Sequence, residues 1–369
     1  MSLSCIGSWR VLSLMAGSSA DGVSAALVLY RHFWPSSLRQ GEGPTAKAWD
    51  YIILEAETLP YPPFLIDNLH KSLTLSGYEL LQLSIVYTDW TGEVIQRRFR
   101  RRVYDLLVWH PPNIFHEPSQ GLTWSLGDPE RLRVQLGKPI VTHLRARDIA
   151  SGGTGAPLIP NADACLFAEY GTLLNLGGIA NLTHLPNPIA YDITPCNQLL
   201  NALASQANPT LTYDPEGTLA RQGRFISELK AVFHHHPFFS LSAPKSLDNQ
   251  TVRRDFIVPF LSHSAEPVDK LHTATQLIAE ELTKALRSVG AKRFTCTGGG
   301  THNRFLIEVL QAKTAEEGIE YLPAPPLVVD YRESVGFGLL GLWRYLDEDN
   351  THGKWTGARR AHSSGLLSL

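Results

Sequence analysis

A duplicated α/β fold is predicted for this chain by three observations. At 369 residues it exceeds what one core of ordinary size holds, so two domains are the default. Each half opens on a hairpin with a turn of small residues, Gly17-Ser18-Ser19-Ala20-Asp21-Gly22 in the first and Gly177-Gly178-Ile179-Ala180-Asn181 in the second. Behind each hairpin, strand patterns alternate with helical ones. Ligands of such folds lie in the cleft between the halves.

The elements follow in order. The apolar stretch LSLMAGSSADGVSAALVLY, Leu12 to Tyr30, gives the first hairpin, and WDYIILEAETLPY a further strand after a polar loop, PSSLRQGEGPTAKAW. YELLQLSIVYTDWTGEVIQRRF has apolar residues at helical spacing and should pack on a sheet. YDLLVWH is a buried strand, ERLRVQLG a short helix ending at glycine, and KPIVTHL another strand. The second half begins at the flexible loop ASGGTGAPLIP. Strands GTLLNL, LTHLP and IAYDITP then lead into the helix NQLLNALASQ. HTATQLIAEELTKALRSVG is amphipathic, KRFTCTGGG is a strand ending in glycines, NRFLIEVLQAKTAEEG is a helix with Asn303 near its cap, and ESVGFGLLGLWRYL closes the fold as a helix.

Composition narrows the function classes. Apolar content of 43% and charged content of 18% describe a globular protein with sizeable cores, and a net charge of −2 gives no reason to expect nucleic acid. Cys5, Cys165, Cys196 and Cys296 show no CxxC spacing, which argues against a zinc ribbon or disulfide framework and suits a reducing cytosol. No apolar run approaches membrane-spanning length. The opening MSLSCIGSWRVLSLMAGSSA has its charge inside the apolar run, not ahead of it, and reads as mature protein in a cytoplasmic setting.

Small turns expose backbone N–H groups and make nests for phosphate oxygens. Gly17–Gly22 and Gly177–Asn181 are therefore two candidate phosphate loops, and either alone is also an ordinary tight hairpin. Neither is a Walker A motif, and no dinucleotide-type GxGxxG is present. Gly298, Gly299 and Gly300, at a strand end before a helix, would let a flat base or ribose approach the backbone. Asp21 and Asp192 are candidates to hold Mg²⁺ near a polyphosphate; the alternatives are an Asx-turn for Asp21 and a helix cap or strand-end salt bridge for Asp192. Asp148, between a strand end and a Gly-rich loop, suits a general base, with a salt bridge to Arg145 or Arg147 as the competing reading. The histidines His234 to His236 read as a solvated cluster, and RRFRRR, Arg97 to Arg102, as a solvated or salt-bridged stretch.

Together these motifs resemble those of the anhydro-N-acetylmuramic acid kinase family, within the sugar kinase, actin and heat-shock chaperone superfamily. The resemblance runs through almost the whole chain. LMAGSSADG, RARDIASGGTGAPLIP, LNLGGIANLTHL and YDITPCNQLLN follow in family order, then YDPEGTLARQGR and PFFSLSAPKSL, which belong to the family more than to the superfamily. CTGGGTHN is similar to the adenosine loop, and ESVGFGLLG and TGARRAHSSG to the C-terminal signatures.

The resemblance implies two actin-like (ribonuclease H-like) domains with mixed sheets flanked by helices and an interdomain cleft. It assigns residues 1–150 to the first domain, with the C-terminal stretch of about 333–369 packing back at the interface, and residues 151–332 to a nucleotide-binding second domain. It implies water addition across the 1,6-anhydro bridge of anhydro-N-acetylmuramic acid coupled to phosphorylation of the freed 6-hydroxyl by ATP, in cell-wall recycling. In that scheme Asp148 is the general base. Gly17, Ser18, Ser19, Ala20, Asp21 and Gly22 form the first phosphate loop and Gly177 and Gly178 the second. Gly298, Gly299, Gly300 and Asn303 contact the nucleotide, Asp21 and Asp192 sit near Mg²⁺, and His110, Thr154 and Glu333 lie at the sugar. The implied partners are the anhydro sugar and ATP, with no nucleic acid and no membrane; a homodimer is left open.

Departures from the family pattern bear on the sugar. His110-Pro111-Pro112-Asn113 stands where the family has His-Gly-Gln-Thr, and two prolines remove backbone donors. His143-Leu144-Arg145 replaces Asp-Phe-Arg, Gly152-Gly153-Thr154-Gly155 replaces Gly-Gly-Gln-Gly, and Ser24 stands where an aspartate is usual. Another anhydro sugar such as levoglucosan, or a non-catalytic actin- or chaperone-like nucleotide-binding protein, are the alternative readings.

Overall fold

Alternating apolar residues carry β1 (Leu3–Ala16) and β2 (Gly22–Pro35) as a long antiparallel pair, in which Val11, Leu12, Ala25, Ala26 and Val28 are fully buried. The computed structural model describes residues 3–17, 22–35 and 49–369. Ser18, Ser19, Ala20 and Asp21, and the polar loop 36–48, lie outside the described residues. The remaining strands are β3 (Trp49–Pro60), β4 (Leu106–His110), β5 (Asn113–Glu117), β6 (Leu122–Ser125), β7 (Ile140–Thr142), β8 (Thr172–Leu176), β9 (Ile179–His184), β10 (Ile189–Pro195), β11 (Arg293–Thr297), β12 (Glu320–Tyr321) and β13 (Leu366–Ser368).

Two units divide the chain. One comprises Met1–Ala168 with Tyr331–Leu369, and the other Glu169–Asp330. In the first unit the sheet order is β13-β7-β4-β1-β2-β3; β1, β2 and β3 form an antiparallel meander, and β4 and β7 run parallel to β1. In the second the order is β10-β9-β8-β11-β12, again a meander with two added parallel strands. Numbered within its own unit, each sheet has the order 3-2-1-4-5, and the first carries β13 as an extra antiparallel edge. This repeated order makes the fold an actin-like α/β duplication. It is far clearer than the sequence repeat, because strand order survives when side chains diverge.

The first unit extends past residue 150 to Ala168. The reason is local: Asp163, on the helix Pro160–Leu166, pairs with Arg332, and Asn161 Nδ2 donates to the Asn350 carbonyl at 3.1 Å. The C-terminal segment is stapled into this unit. Asn350 Nδ2 donates to the Leu340 and Ser364 carbonyls, Ser364 N–H returns a bond to Asn350 Oδ1, and β13 pairs with β7.

The helix Gly77–Phe99 begins at a capping box, with Glu79 N–H donating to Ser76 Oγ and Ser76 N–H to Glu79 Oε2; it buries Leu83, Tyr87, Val94, Ile95 and Phe99. Arginines at its end are salt-bridged, Arg98 to Glu57 and Arg102 to Glu55. The second core gathers Leu174, Leu199, Phe233, Phe256, Phe260 and Leu282 around the helix Pro267–Ser288. Here the solvated reading of the triple histidine is corrected. The side chains of His234 and His236 are 19% and 18% exposed, because the chain turns under Pro237 and brings them to Glu281 and Asp255 at 3.1 and 3.0 Å. Among the described residues no helix is long and apolar enough to cross a membrane.

Candidate active site

In the first unit, β7 ends at Thr142 and His143 takes a left-handed backbone, φ 51°, before the short helix Ala146–Ala150. That helix holds Asp148 with no exposure. Asp148 Oδ2 accepts the Gly155 N–H at 2.7 Å, and Oδ1 accepts the Thr356 hydroxyl at 2.7 Å. Neither neighbouring arginine pairs with it. Arg145 Nη1 donates to the Gly155 carbonyl at 2.8 Å and Nη2 to His110 Nε2 at 3.3 Å; Arg147 Nη1 donates to the Ser363 carbonyl at 2.6 Å. The salt-bridge alternative for Asp148 is therefore not what forms. Each carboxylate oxygen accepts one bond from these two donors, and a carboxylate has capacity for about four.

The loop after Asp148 is shaped around it. A Cβ on Gly153 would stand 2.3 Å from Asp148 Oδ2, so only glycine closes over the carboxylate. Gly153→Ala is expected to displace Asp148 or the loop and to cost about 1–3 kcal/mol, as overpacking typically does. A thermal melt followed by circular dichroism checks it; a wild-type melting temperature would contradict the close approach. Thr154 Oγ1 turns inward, donating to the Ala156 carbonyl at 2.6 Å and lying 3.0 Å from the Thr356 carbonyl.

His110 ends β4 and is buried, stacked on Phe337 with ring centroids 3.9 Å apart. Burial pushes its pKa well down, and the charge of Arg145 and the nearby His143 add to this. Arg145 has only protons to offer, so His110 Nε2 is the acceptor and Nδ1 carries the hydrogen, with no partner among the described residues. Burial also lowers the Arg145 pKa, and Glu333 opposes that shift. His110, Arg145 and Glu333 thus form one electrostatic group beside the Asp148 loop. Gly17 follows β1 and Gly22 begins β2, where a Cβ on Gly22 would meet the Leu59 carbonyl oxygen at 2.7 Å.

The second unit brings its two glycine turns together. Gly177 and Gly178 join β8 to β9, and their carbonyls accept the N–H groups of Asn197 (3.1 Å), Cys196 (2.9 Å) and Gln198 (3.2 Å). Gly298 follows β11 with φ 83°, and a Cβ on Gly300 would stand 2.7 Å from Leu176 Cβ. Asn197 links the two turns, its Nδ2 donating to the Leu176 carbonyl at 3.0 Å while its side chain lies beside Gly299 and Gly300. Asn303 caps the helix Arg304–Glu316, its Oδ1 accepting Leu306 N–H at 3.0 Å. Among the described residues Asp192 is neither a helix cap nor salt-bridged. Its Oδ2 accepts Leu247 N–H at 2.9 Å and the Ser246 hydroxyl at 3.2 Å, tethering the segment Pro237–Leu247. Burial raises its pKa, and those two bonds oppose the rise. Among the described residues no group of three His, Cys, Asp or Glu side chains could hold a metal ion.

Thr356, His362 and Asn197 escaped the sequence reading. TGARRAHSSG was visible as a signature, but nothing in its spacing points to a carboxylate 208 residues earlier.

Known proteins resemble nearly the whole chain. A protein from Prochlorococcus marinus (strain MIT 9303) named anhydro-N-acetylmuramic acid kinase is 29% identical over 389 residues, spanning 97% of this chain and 98% of that one. One of the same name from Idiomarina loihiensis is 30% identical, spanning 90% and 91%. Among solved structures, the Acidaminococcus fermentans (R)-2-hydroxyglutaryl-CoA dehydratase component A is 13% identical with a TM-score of 0.46, covering 90% of this chain and 97% of that one. Matched by the family's model from residue 9 to residue 368, the chain belongs to the anhydro-N-acetylmuramic acid kinase family.

Proposed function

We propose that this kinase opens 1,6-anhydro-N-acetylmuramic acid with water and phosphorylates the freed 6-hydroxyl from ATP, giving N-acetylmuramic acid 6-phosphate in cell-wall recycling. The observation that carries this reading is the state of Asp148: a buried carboxylate held by Gly155 N–H and the Thr356 hydroxyl while both nearby arginines bond elsewhere. A carboxylate paired with arginine is a poor base. One held by neutral donors has a fixed direction and lone pairs that no cation occupies.

Asp148 takes the proton of a water attacking the anomeric carbon, and the bridge oxygen accepts the γ-phosphoryl group as it leaves. His110, Glu333 and Thr154 are the proposed sugar contacts. His110 offers Nδ1–H as a donor, since Arg145 occupies its other nitrogen. The loops Gly17–Gly22, with Ser18, Ser19, Ala20 and Asp21, and Gly177–Gly178 are the proposed phosphate nests; Gly298–Gly300 and Asn303 are the proposed nucleotide contact. Asp192, whose Oδ2 accepts Leu247 N–H and whose other oxygen accepts no bond among the described residues, and Asp21 are the proposed carboxylates near Mg²⁺, which would neutralise charge on the phosphoryl group.

Incubation with the anhydro sugar, ATP and Mg²⁺ is expected to yield the 6-phosphate and ADP in equal amounts, read by mass spectrometry and a coupled ADP assay. Levoglucosan, which lacks the lactyl and acetamido groups, is expected to react far more slowly. Equal turnover of the two would move the reading to a general anhydro-sugar kinase, and no product from either at high enzyme concentration would end it.

A further inference from the structure

The proposed reaction leaves a proton behind. When water adds across the anhydro bridge, one of its protons stays on the new 1-hydroxyl and the other goes to the base. In many acid–base cycles the leaving oxygen later collects that second proton. Here the leaving oxygen takes a phosphoryl group instead, so each turnover ends with a protonated carboxyl that must be discharged. Asp148 is fully buried, which denies it direct exchange with bulk water.

We propose that His362 is the outlet, receiving the proton from Asp148 at Nε2 and passing it to solvent. This rests on the reading of Asp148 as the base. His362 Nε2 lies 3.6 Å from Asp148 Oδ1 and has no hydrogen-bond partner among the described residues. Its other nitrogen is committed: Nδ1 lies 3.1 Å from the Arg360 carbonyl, which can only accept, so Nδ1 carries the hydrogen and Nε2 presents a lone pair to the carboxyl group. The separation is longer than a hydrogen bond, and a small rotation of the ring closes it, as catalytic contacts commonly tighten when substrate binds. The side chain is 10% exposed although Nε2 itself is enclosed, so the ring turns to hand its proton to water, from beside a carboxylate that has no such route.

The surroundings hold the ring in register. Thr351 and His362 exchange backbone hydrogen bonds at 3.2 and 3.1 Å, and Ser364 Oγ donates to the Leu144 carbonyl at 2.6 Å. The Thr356 hydroxyl, which accepts from Ala358 N–H at 3.4 Å, donates to the same Asp148 oxygen that faces His362. The charged and titratable groups nearby are Asp148 and Arg147 from the helix Ala146–Ala150, Arg360 on the same segment, and His352. Arg147 is spent on the Ser363 carbonyl, and the charge of His362 helps to disfavour protonation of His352.

The transfer balances. The Asp148 O–H bond breaks, Nε2–H forms, and the imidazolium then returns that proton to a solvent water. His362 acts through Asp148, as a relay and positioning residue. His362→Gln keeps a planar, hydrogen-bonding side chain and cannot carry an added proton. Its kcat is expected to fall about 10-fold or more with KM within about twofold, and its kcat–pH profile to change shape. Added imidazole should restore part of the turnover of His362→Ala. Asp148→Asn is measured alongside. If Asp148→Asn is inactive while His362→Gln keeps wild-type kcat and pH profile, the outlet lies elsewhere and the base assignment survives. If Asp148→Asn retains turnover, or the wild type turns over no anhydro sugar, both ideas fall.

Discussion

Asp148→Asn is expected to lower kcat by about 10²–10⁴-fold, the usual contribution of a general base, while ATP binding by calorimetry and the melting temperature stay near wild type. The substitution isolates basicity because the surroundings accept an amide. Its oxygen can take the place of Oδ2 and accept Gly155 N–H. Its NH₂ then faces the Thr356 hydroxyl, which can rotate to accept instead of donate. Asp148→Ala would be a poorer instrument. It removes the acceptor of the buried Gly155 N–H, and an orphaned buried donor costs about 1–3 kcal/mol, so lost activity would be mixed with lost stability. An Asp148→Asn enzyme with full turnover and normal folding would remove the carboxylate from the chemistry.

That experiment could be designed from the sequence alone, since Asp148 stands out between a strand end and a glycine-rich loop. What the sequence did not reveal is which groups hold the aspartate. Spacing along a chain reports neighbours about three or four residues apart on a helix, which made Arg145 an obvious partner, with Arg147 adjacent in sequence. The short helix sends both elsewhere, and the groups that do touch the carboxylate come from Gly155 and from Thr356, the latter 208 residues away. Contacts of that range are set by the folded tail, through β13 on β7 and the Asn350 bonds, and leave no periodic trace.

The fold followed a similar division. Long strands and amphipathic helices such as Gly77–Phe99 and Pro267–Ser288 were legible from periodicity. The hairpin of β5 and β6 was not, because its strands are short and half exposed. Nor was the stretch between residues 208 and 262, where short 3₁₀ turns and a π-helical turn at Val252–Ile257 carry no sustained period. There His234 and His236 looked solvent-facing because their carboxylate partners, Glu281 and Asp255, lie far along the chain.

Arg332→Met is expected to destabilise the protein by about 3–5 kcal/mol in denaturant unfolding near neutral pH, because it strips the partner from a buried carboxylate. Arg332 Nη1 donates to Asp163 Oδ2 at 3.1 Å, and the two side chains are 4% and 0% exposed. The pairing is imperfect: Asp163 Oδ1 and Arg332 Nε have no hydrogen-bond partner among the described residues. Burial pushes the Asp163 carboxyl up to about 6, against the pull of Arg332 and with a further push from Glu333. The folded chain therefore holds a proton that the unfolded chain has already released. This group's contribution to stability is fully present below the unfolded value of about 4 and is lost as pH rises through about 6. Removing Arg332 removes the downward pull on that pKa, so the variant should recover stability on acidification and be closer to wild type at pH 5 than at pH 7.5. In Asp163→Asn the pH dependence itself should vanish. A double variant, Arg332→Met with Asp163→Leu, is expected to regain most of the loss, since a packed apolar pair replaces a poorly satisfied ionic one. Equal losses at both pH values would show that the carboxyl is not the group that suffers, and the Arg332 side chain would then be holding the helix Pro326–Tyr345 by packing alone.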